Sequence, residues 1–281
     1  MDQDALAQAL LAEKFWGVQA EIAKALGESG GKRCRDALIE GLKHSHPKVR
    51  RACAERLGEF LRDSAAADAL RAVLEKGDPS YFVEAAAIGS YGKLRQPDTV
   101  AVLAPRLNQS SYHDVIRVAA LSGLGESQDL TALEPLTAWT QHGKPGECRA
   151  AALQALARLA QTANPSDEQQ RRIVKIVSSC LEEESPWVLR GAIAALRDLG
   201  KSATPALPAL EAISRHDPNE RLRDLAKRAI EQIRSNSPVP VEVTRLREEL
   251  EGLKKAQETL KKQLEKSQSL EQKSTPKESG N

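Results

Sequence analysis

The chain has 281 residues, of which 41% are hydrophobic and 28% charged, with 41 Lys plus Arg against 39 Asp plus Glu. That length and apolar content allow a sizeable core in one or two domains. The net charge of +2 gives no global attraction to nucleic acid or to an anionic membrane.

No apolar run approaches the roughly 20 residues that a membrane span needs. The opening "MDQDALAQALLAEK" is acidic and lacks the basic n-region of a secretory signal. If Met1 is the true start, a cytoplasmic setting is expected. Cys34, Cys53, Cys148 and Cys180 form no CxxC pair. Scattered single cysteines suit small core positions in a reducing compartment.

In chain order, the first strongly patterned stretch is "FWGVQAEIAKALG", Phe15 to Gly27. A helix over "RDALIEGLKH" leads to a second copy, "HPKVRRACAERLG", ending at Gly58. The alternation continues with "AAADALRAVLEKG" and "PSYFVEAAAIGSYG", then "PDTVAVLAPRL" and "HDVIRVAALSGLG". Next come "LTALEPLTAWTQHG" and "PGECRAAALQALA", then "EQQRRIVKIVSSCLEEE" and "SPWVLRGAIAALR". "PALPALEAISRH" and "DPNERLRDLAKRAIE" complete it. The seven copies end at 27, 58, 92, 125, 157, 197 and 231, at spacings of 31, 34, 33, 32, 40 and 34. Such a period predicts an all-α solenoid of about seven helix pairs over residues 1–234. No run shows strand alternation.

Composition shifts at "SNSPVPVEV", which begins at Ser235, and a linker is expected over 235–241. Val243, Leu246, Leu250, Leu253, Gln257, Leu260 and Leu264 then step alternately by 3 and 4, an a/d seam predicting a coiled-coil-like helix over 242–270. About three good heptads allow weak self-association, a lone solvated helix, or docking onto the solenoid. The polar residues 271–281 are expected to be disordered.

The repeat columns fix the register. The first apolar position reads Val18, Val49, Val83, Ile116, Cys148, Val188, Leu222. Four residues on stand Ile22, Cys53, Ala87, Ala120, Ala152, Ala192, Ala226, and eight on stand Leu26, Leu57, Tyr91, Leu124, Leu156, Leu196, Ile230. These offsets form one helix face, whose small middle residues let successive helices approach closely. Glu21 replaces the small residue three positions on and reads as a cap on an end repeat. His46-Pro47, Asp78-Pro79, Ser185-Pro186 and Asp217-Pro218 each precede a second helix, as a polar N-cap followed by proline.

The alanine-rich helices ending in Leu-Gly, introduced by "HPKVRRA" or "DP-x-x-x-x-R", resemble HEAT repeats. The position after the first apolar residue reads Gln19, Arg50, Glu84, Arg117, Arg149, Leu189, Arg223. Two readings stand: a ladder binding each neighbouring turn, or a binding row in a groove. Glu84 and Leu189 interrupt it, so it is no continuous basic track. Aromatics for base stacking are sparse as well, which disfavours nucleic acid.

No histidine is followed by glutamate, which excludes H-E-x-x-H, and neither a G-x-S-x-G elbow nor a Walker loop occurs. His44 and His46, with Cys34 or Cys53, come nearest to a metal set. Cys53 belongs to the core column and His46 to a cap, so a structural role is expected. No catalytic residue, metal or cofactor is assigned.

"EKFWGVQAEIAKALGE", "HSHPKVRRACAERLGEF" and "GDPSYFVEAAA" also resemble the C-terminal helical-repeat region of some bacterial zinc aminopeptidases of the aminopeptidase N family. In those enzymes an upstream domain carries H-E-x-x-H and a G-x-M-E-N motif. Neither can be carried over, since Met1 is the only methionine. The resemblance implies the accessory region of such an enzyme, whose catalytic domain would be a partner, or a free-standing relative. The leading expectation is a non-catalytic scaffold for a protein or peptide, with no membrane partner. A lyase or DNA-repair glycosylase on a HEAT-like scaffold is the alternative; it requires an acidic or thiol residue in an aromatic-lined cleft.

Overall fold

The chain pairs its helices from the first residues onward. In the computed structural model, which describes residues 3–235, α1 (Gln3–Ala12) pairs with α2 (Trp16–Ser29), α3 (Gly31–Gly41) with α4 (Pro47–Leu57), and α5 (Ser64–Lys76) with α6 (Tyr81–Leu94). Then α7 (Thr99–Leu103) precedes α8 (Val115–Glu126), α9 (Leu133–Ala138) precedes α10 (Gly146–Thr162), α11 (Asp167–Ser179) precedes α12 (Pro186–Leu199), and α13 (Leu207–His216) precedes α14 (Glu220–Ser235). Among the described residues there is no strand. Ser235, expected to open the linker, is the last residue of α14. The rest of the linker, the heptad helix and the tail lie outside the described residues.

The first helices are less regular than their sequence suggests. The stretch expected as one helix, "PDTVAVLAPRL", gives five α-helical residues and then a 3₁₀ turn, Ala104–Asn108. Pro105 lies in that turn and has no N–H to continue the α ladder. Proline starts differ in the same way. Pro47 and Pro186 stand at the first turn of α4 and α12. Asp78-Pro79 and Asp217-Pro218 instead lie in the turns ahead of α6 and α14. There the aspartates accept from the backbone N–H of Ser80 and Asn219, both at 2.8 Å.

Second helices stack in order, α2 on α4, α6, α8, α10, α12 and finally α14. The eight-on column of Leu26, Leu57, Tyr91, Leu124, Leu156, Leu196 and Ile230 is buried throughout. Each leucine there contributes roughly 1.5–3 kcal/mol of hydrophobic stabilisation. The Leu-Gly signature has a steric cause. A Cβ on Gly92 would meet Gly123 Cα at 2.4 Å, and one on Gly125 would meet Ala155 Cα at 2.7 Å. Bare backbone is what lets these helices touch.

Repeat one departs from the expected face. Val18 is 44% exposed, whereas Gln19 beside it is 2% exposed. No helix pair precedes α2 among the described residues, so its outer edge is uncovered. Glu21 on the same edge is exposed too.

Candidate functional site

The residues of the interrupted row sit in the first turns of the second helices, beside the turn closing each pair. Gln19 Nε2 donates to the carbonyls of Leu10 at 3.2 Å and Glu13 at 3.0 Å, and lies 3.1 Å from His44 Nε2 in the next pair. Arg50 grips Asp78 of the next pair through Nε and Nη2 at 2.7 and 2.8 Å. Its Nη1 donates to the carbonyls of His44 and Ser45 at 2.9 and 2.7 Å. Glu84 accepts from Gln109 Nε2 at 3.2 Å and from the Asp78 amide at 3.3 Å.

Arg117 donates to the Leu107 carbonyl at 3.1 Å and to Asp114 at 2.6 Å, with its guanidinium 5.6 Å from the Trp139 ring centre. Arg149 donates to the Thr140 carbonyl at 2.8 Å and pairs with Glu183 of the following pair. Arg223, on the last described helix, reaches the carbonyls of Asp217 and Pro218 at 2.8 and 3.3 Å. Leu189 is buried and apolar. Thus the row satisfies carbonyls left over at the ends of first helices and ties most pairs to the next. It does not converge on one cavity.

The carboxylates of this seam respond to their partners. Glu183 is held below the usual carboxylate range by its hydrogen bonds from Arg149, against the opposing effect of burial. Burial pulls Asp78 upward, but the Arg50 bonds and the Ser80 amide outweigh it and leave it lowered.

The nearest metal set does not assemble. His46 Nδ1 accepts from the Lys48 amide at 3.3 Å, and the ring stacks on Trp16 with centres 5.0 Å apart. His44 Nδ1 accepts from the His46 amide at 3.0 Å. Among the described residues no three His, Cys, Asp or Glu side chains are grouped to hold a metal. All four cysteines are buried and free. Burial pushes Cys53 up to about 12 and Cys148 up to about 11, which keeps both as inert thiols.

What the second helices leave open lies beside the seam. Phe15, Tyr81, Phe82, Tyr112 and Trp187 are 58, 47, 53, 69 and 51% exposed. All lie at or just before the N-terminal ends of second helices. Cations accompany three of the aromatic rings here: Lys48 lies 4.0 Å from the Trp16 ring centre, Arg51 5.7 Å from Phe82, and Arg190 4.4 Å from Trp187. Between α12 and α14 this surface deepens into a groove of about 390 Å³ lined by Trp187, Arg190, Arg221, Leu222, Leu225 and Arg228. The readable sequence signal is the column just ahead of the first apolar one: Gly17, Lys48, Phe82, Val115, Glu147, Trp187, Arg221. Five of its seven members are aromatic or charged, which a core column would not be.

Stacked helix pairs with a buried polar seam and an open second-helix face define an α-helical repeat solenoid. The chain belongs to the HEAT-repeat family: the model for HEAT repeats matches residues 4–90 and 74–157, over half of the 281 residues. No curated protein matches it. Among solved structures, the complex of CpcE and CpcF of phycocyanin lyase from Nostoc sp. PCC7120 is similar, with TM-score 0.55 and 20% identity, over 84% of this chain and 95% of that one. A HEAT-like repeats protein from Thermococcus onnurineus NA1 follows with TM-score 0.48 and 15% identity, over 84% and 98%. A designed armadillo repeat protein in complex with the peptide (KR)4 gives TM-score 0.44 and 20% identity, over 83% and 100%. At these identities the likeness is one of fold. Among the described residues, no helix is long and apolar enough to cross a membrane.

Proposed function

We propose that the chain is a non-catalytic scaffold that binds a protein or peptide segment along the open face of its second helices. One observation carries this reading: five large aromatic side chains are about half exposed or more on that face, in a sequence only 3% aromatic. Aromatic and arginine side chains are the usual anchors of protein interfaces. The ladder residues Gln19, Arg50, Glu84, Arg117, Arg149 and Arg223 serve the solenoid itself, since each side chain already makes hydrogen bonds within or between helix pairs. A reducing compartment, the cytoplasm, suits four buried free thiols.

A random-peptide display selection against the full chain tests the reading. Selected peptides are expected to lose at least tenfold in affinity on Phe82→Ala or Trp187→Ala. Selection of no peptide, or of peptides indifferent to every exposed aromatic, overturns it.

A second reading, packing beside a catalytic aminopeptidase domain, is favoured by one feature. Leu11, Phe15 and Val18 leave an apolar patch exposed on the first helix pair. It rests on that patch and the sequence motifs alone. Co-purification with such a domain that is lost on Leu11→Glu supports it, and independent migration of the two on size exclusion overturns it. The lyase or glycosylase alternative finds no buried acid or thiol in the groove beside Trp187. The one carboxylate lining the Trp187 groove is Asp224, which is exposed and 3.4 Å from Lys227.

A further inference from the structure

We infer that the groove between α12 and α14 binds a short acidic peptide segment carrying an apolar side chain. This deepens the scaffold reading and rests on it. The apolar part of the groove is Leu222, Leu225 and the face of Trp187, and its rim is Arg190, Arg221 and Arg228. At about 390 Å³ it sits near the small end of ligand pockets, a fit for a few side chains rather than a folded surface.

The arginines give the occupant its charge. Elsewhere on the surface most exposed arginines are paired, among them Arg33 with Asp4, Arg51 with Glu55, Arg172 with Glu134 and Arg215 with Glu211; Arg62 and Arg171 are exceptions. The three in the groove have no carboxylate partner among the described residues. The groove's one acid, Asp224, is already paired with Lys227. Arg190 is held over Trp187 at 4.4 Å, so part of its side-chain freedom is spent before any ligand arrives. Guanidinium groups take carboxylates in a two-point grip. The complement is therefore a pair or triplet of Asp or Glu residues flanking one apolar side chain that covers the leucines. A nucleic-acid strand fits less well, because Trp187 offers a single stacking platform where such grooves use successive ones.

Fluorescence anisotropy with the full chain tests this. The probes are a labelled Glu-rich decapeptide with a central Leu, the same peptide with Ser or Lys in place of Glu, and single-stranded oligothymidylate. The Glu peptide is expected to bind at least tenfold more tightly than the Ser peptide, and to weaken as salt rises. Arg190→Glu with Arg228→Glu should cost at least tenfold and Trp187→Ala several-fold. Arg171→Glu, in a groove between first helices, should leave binding unchanged. Equal binding of the Ser peptide, indifference to the double charge reversal, or tighter binding of the oligonucleotide overturns the inference. If display-selected peptides bind through Tyr81 and Phe82 but not Trp187, the groove inference fails and the scaffold reading stands. If no peptide binds, both fall.

Discussion

Arg149 and Arg190 sit on neighbouring second helices, and their surroundings are opposite. Arg149 is 6% exposed and ties its own pair, through the Thr140 carbonyl, to the next pair, through Glu183. Arg190 lies in the open on the ring of Trp187, with no carboxylate partner among the described residues. The two differ by one position in the repeat register: Arg149 follows the first apolar residue by one, Arg190 by two. A helix turns about 100° per residue, so that single step carries a guanidinium from the seam to the open face. The same residue type is structural in one column and available for recognition in the next.

The largest expected effect comes from breaking the seam. Arg149→Ala leaves Glu183 without its main partner in a site where both side chains are about nine-tenths buried. Loss of one partner of a buried pair should cost about 3 kcal/mol, read as a shift in the urea midpoint at constant slope. If the midpoint does not move, the seam is not what joins these repeats.

Next is the helix contact itself. Gly92→Ala places a methyl group 2.4 Å from Gly123 Cα, and backbone cannot step aside as a side chain can. Overpacking of this kind costs roughly 1–3 kcal/mol, measurable by thermal denaturation. Gly143→Ala is no control, because its positive φ adds strain of its own. Gly89→Ala is a sound one, since nothing lies within 4 Å of its added Cβ.

The seam should also be visible in acid. Glu183 and Asp78 have lowered carboxyl pKa values in the folded chain. They bind fewer protons folded than unfolded, so the stability they contribute is present above the unfolded value of about 4 and is lost as pH falls through the folded values. Urea midpoints measured from pH 6 down to pH 3 should fall, and the Arg149→Ala variant should fall less steeply. Parallel curves for the two proteins would remove Glu183 from the account.

The period, the pairing and the core columns were legible because each depends on a pattern repeated seven times. A single substitution such as Pro105 or Glu21 does not hide it. The face that remains open was less legible. Trp16 and Trp187 stand one position apart in the register, yet Trp16 is partly covered by His46 and Lys48 while Trp187 is half exposed. The difference is made by the following pair, which supplies a stacking imidazole after α2 and no aromatic ring to the groove after α12. Val18 misled for a similar reason. Its column is buried in every later repeat, but burial depends on neighbours that a column of letters does not contain.

The smallest expected effect closes the comparison. Arg190→Ala removes a cation from over the ring of an exposed tryptophan and breaks no ion pair among the described residues. An exposed cation–π contact contributes roughly 0.5–1 kcal/mol, and part of that returns as side-chain freedom once Arg190 is gone. The change in stability should therefore stay within about 0.5 kcal/mol, as for most surface substitutions. The tryptophan emission should shift slightly, because Trp187 loses a covering charge while Trp16 and Trp139 keep theirs from Lys48 and Lys144. A loss as large as that of Arg149→Ala would mean that Arg190 is part of the frame, and the open face would shrink to its aromatics.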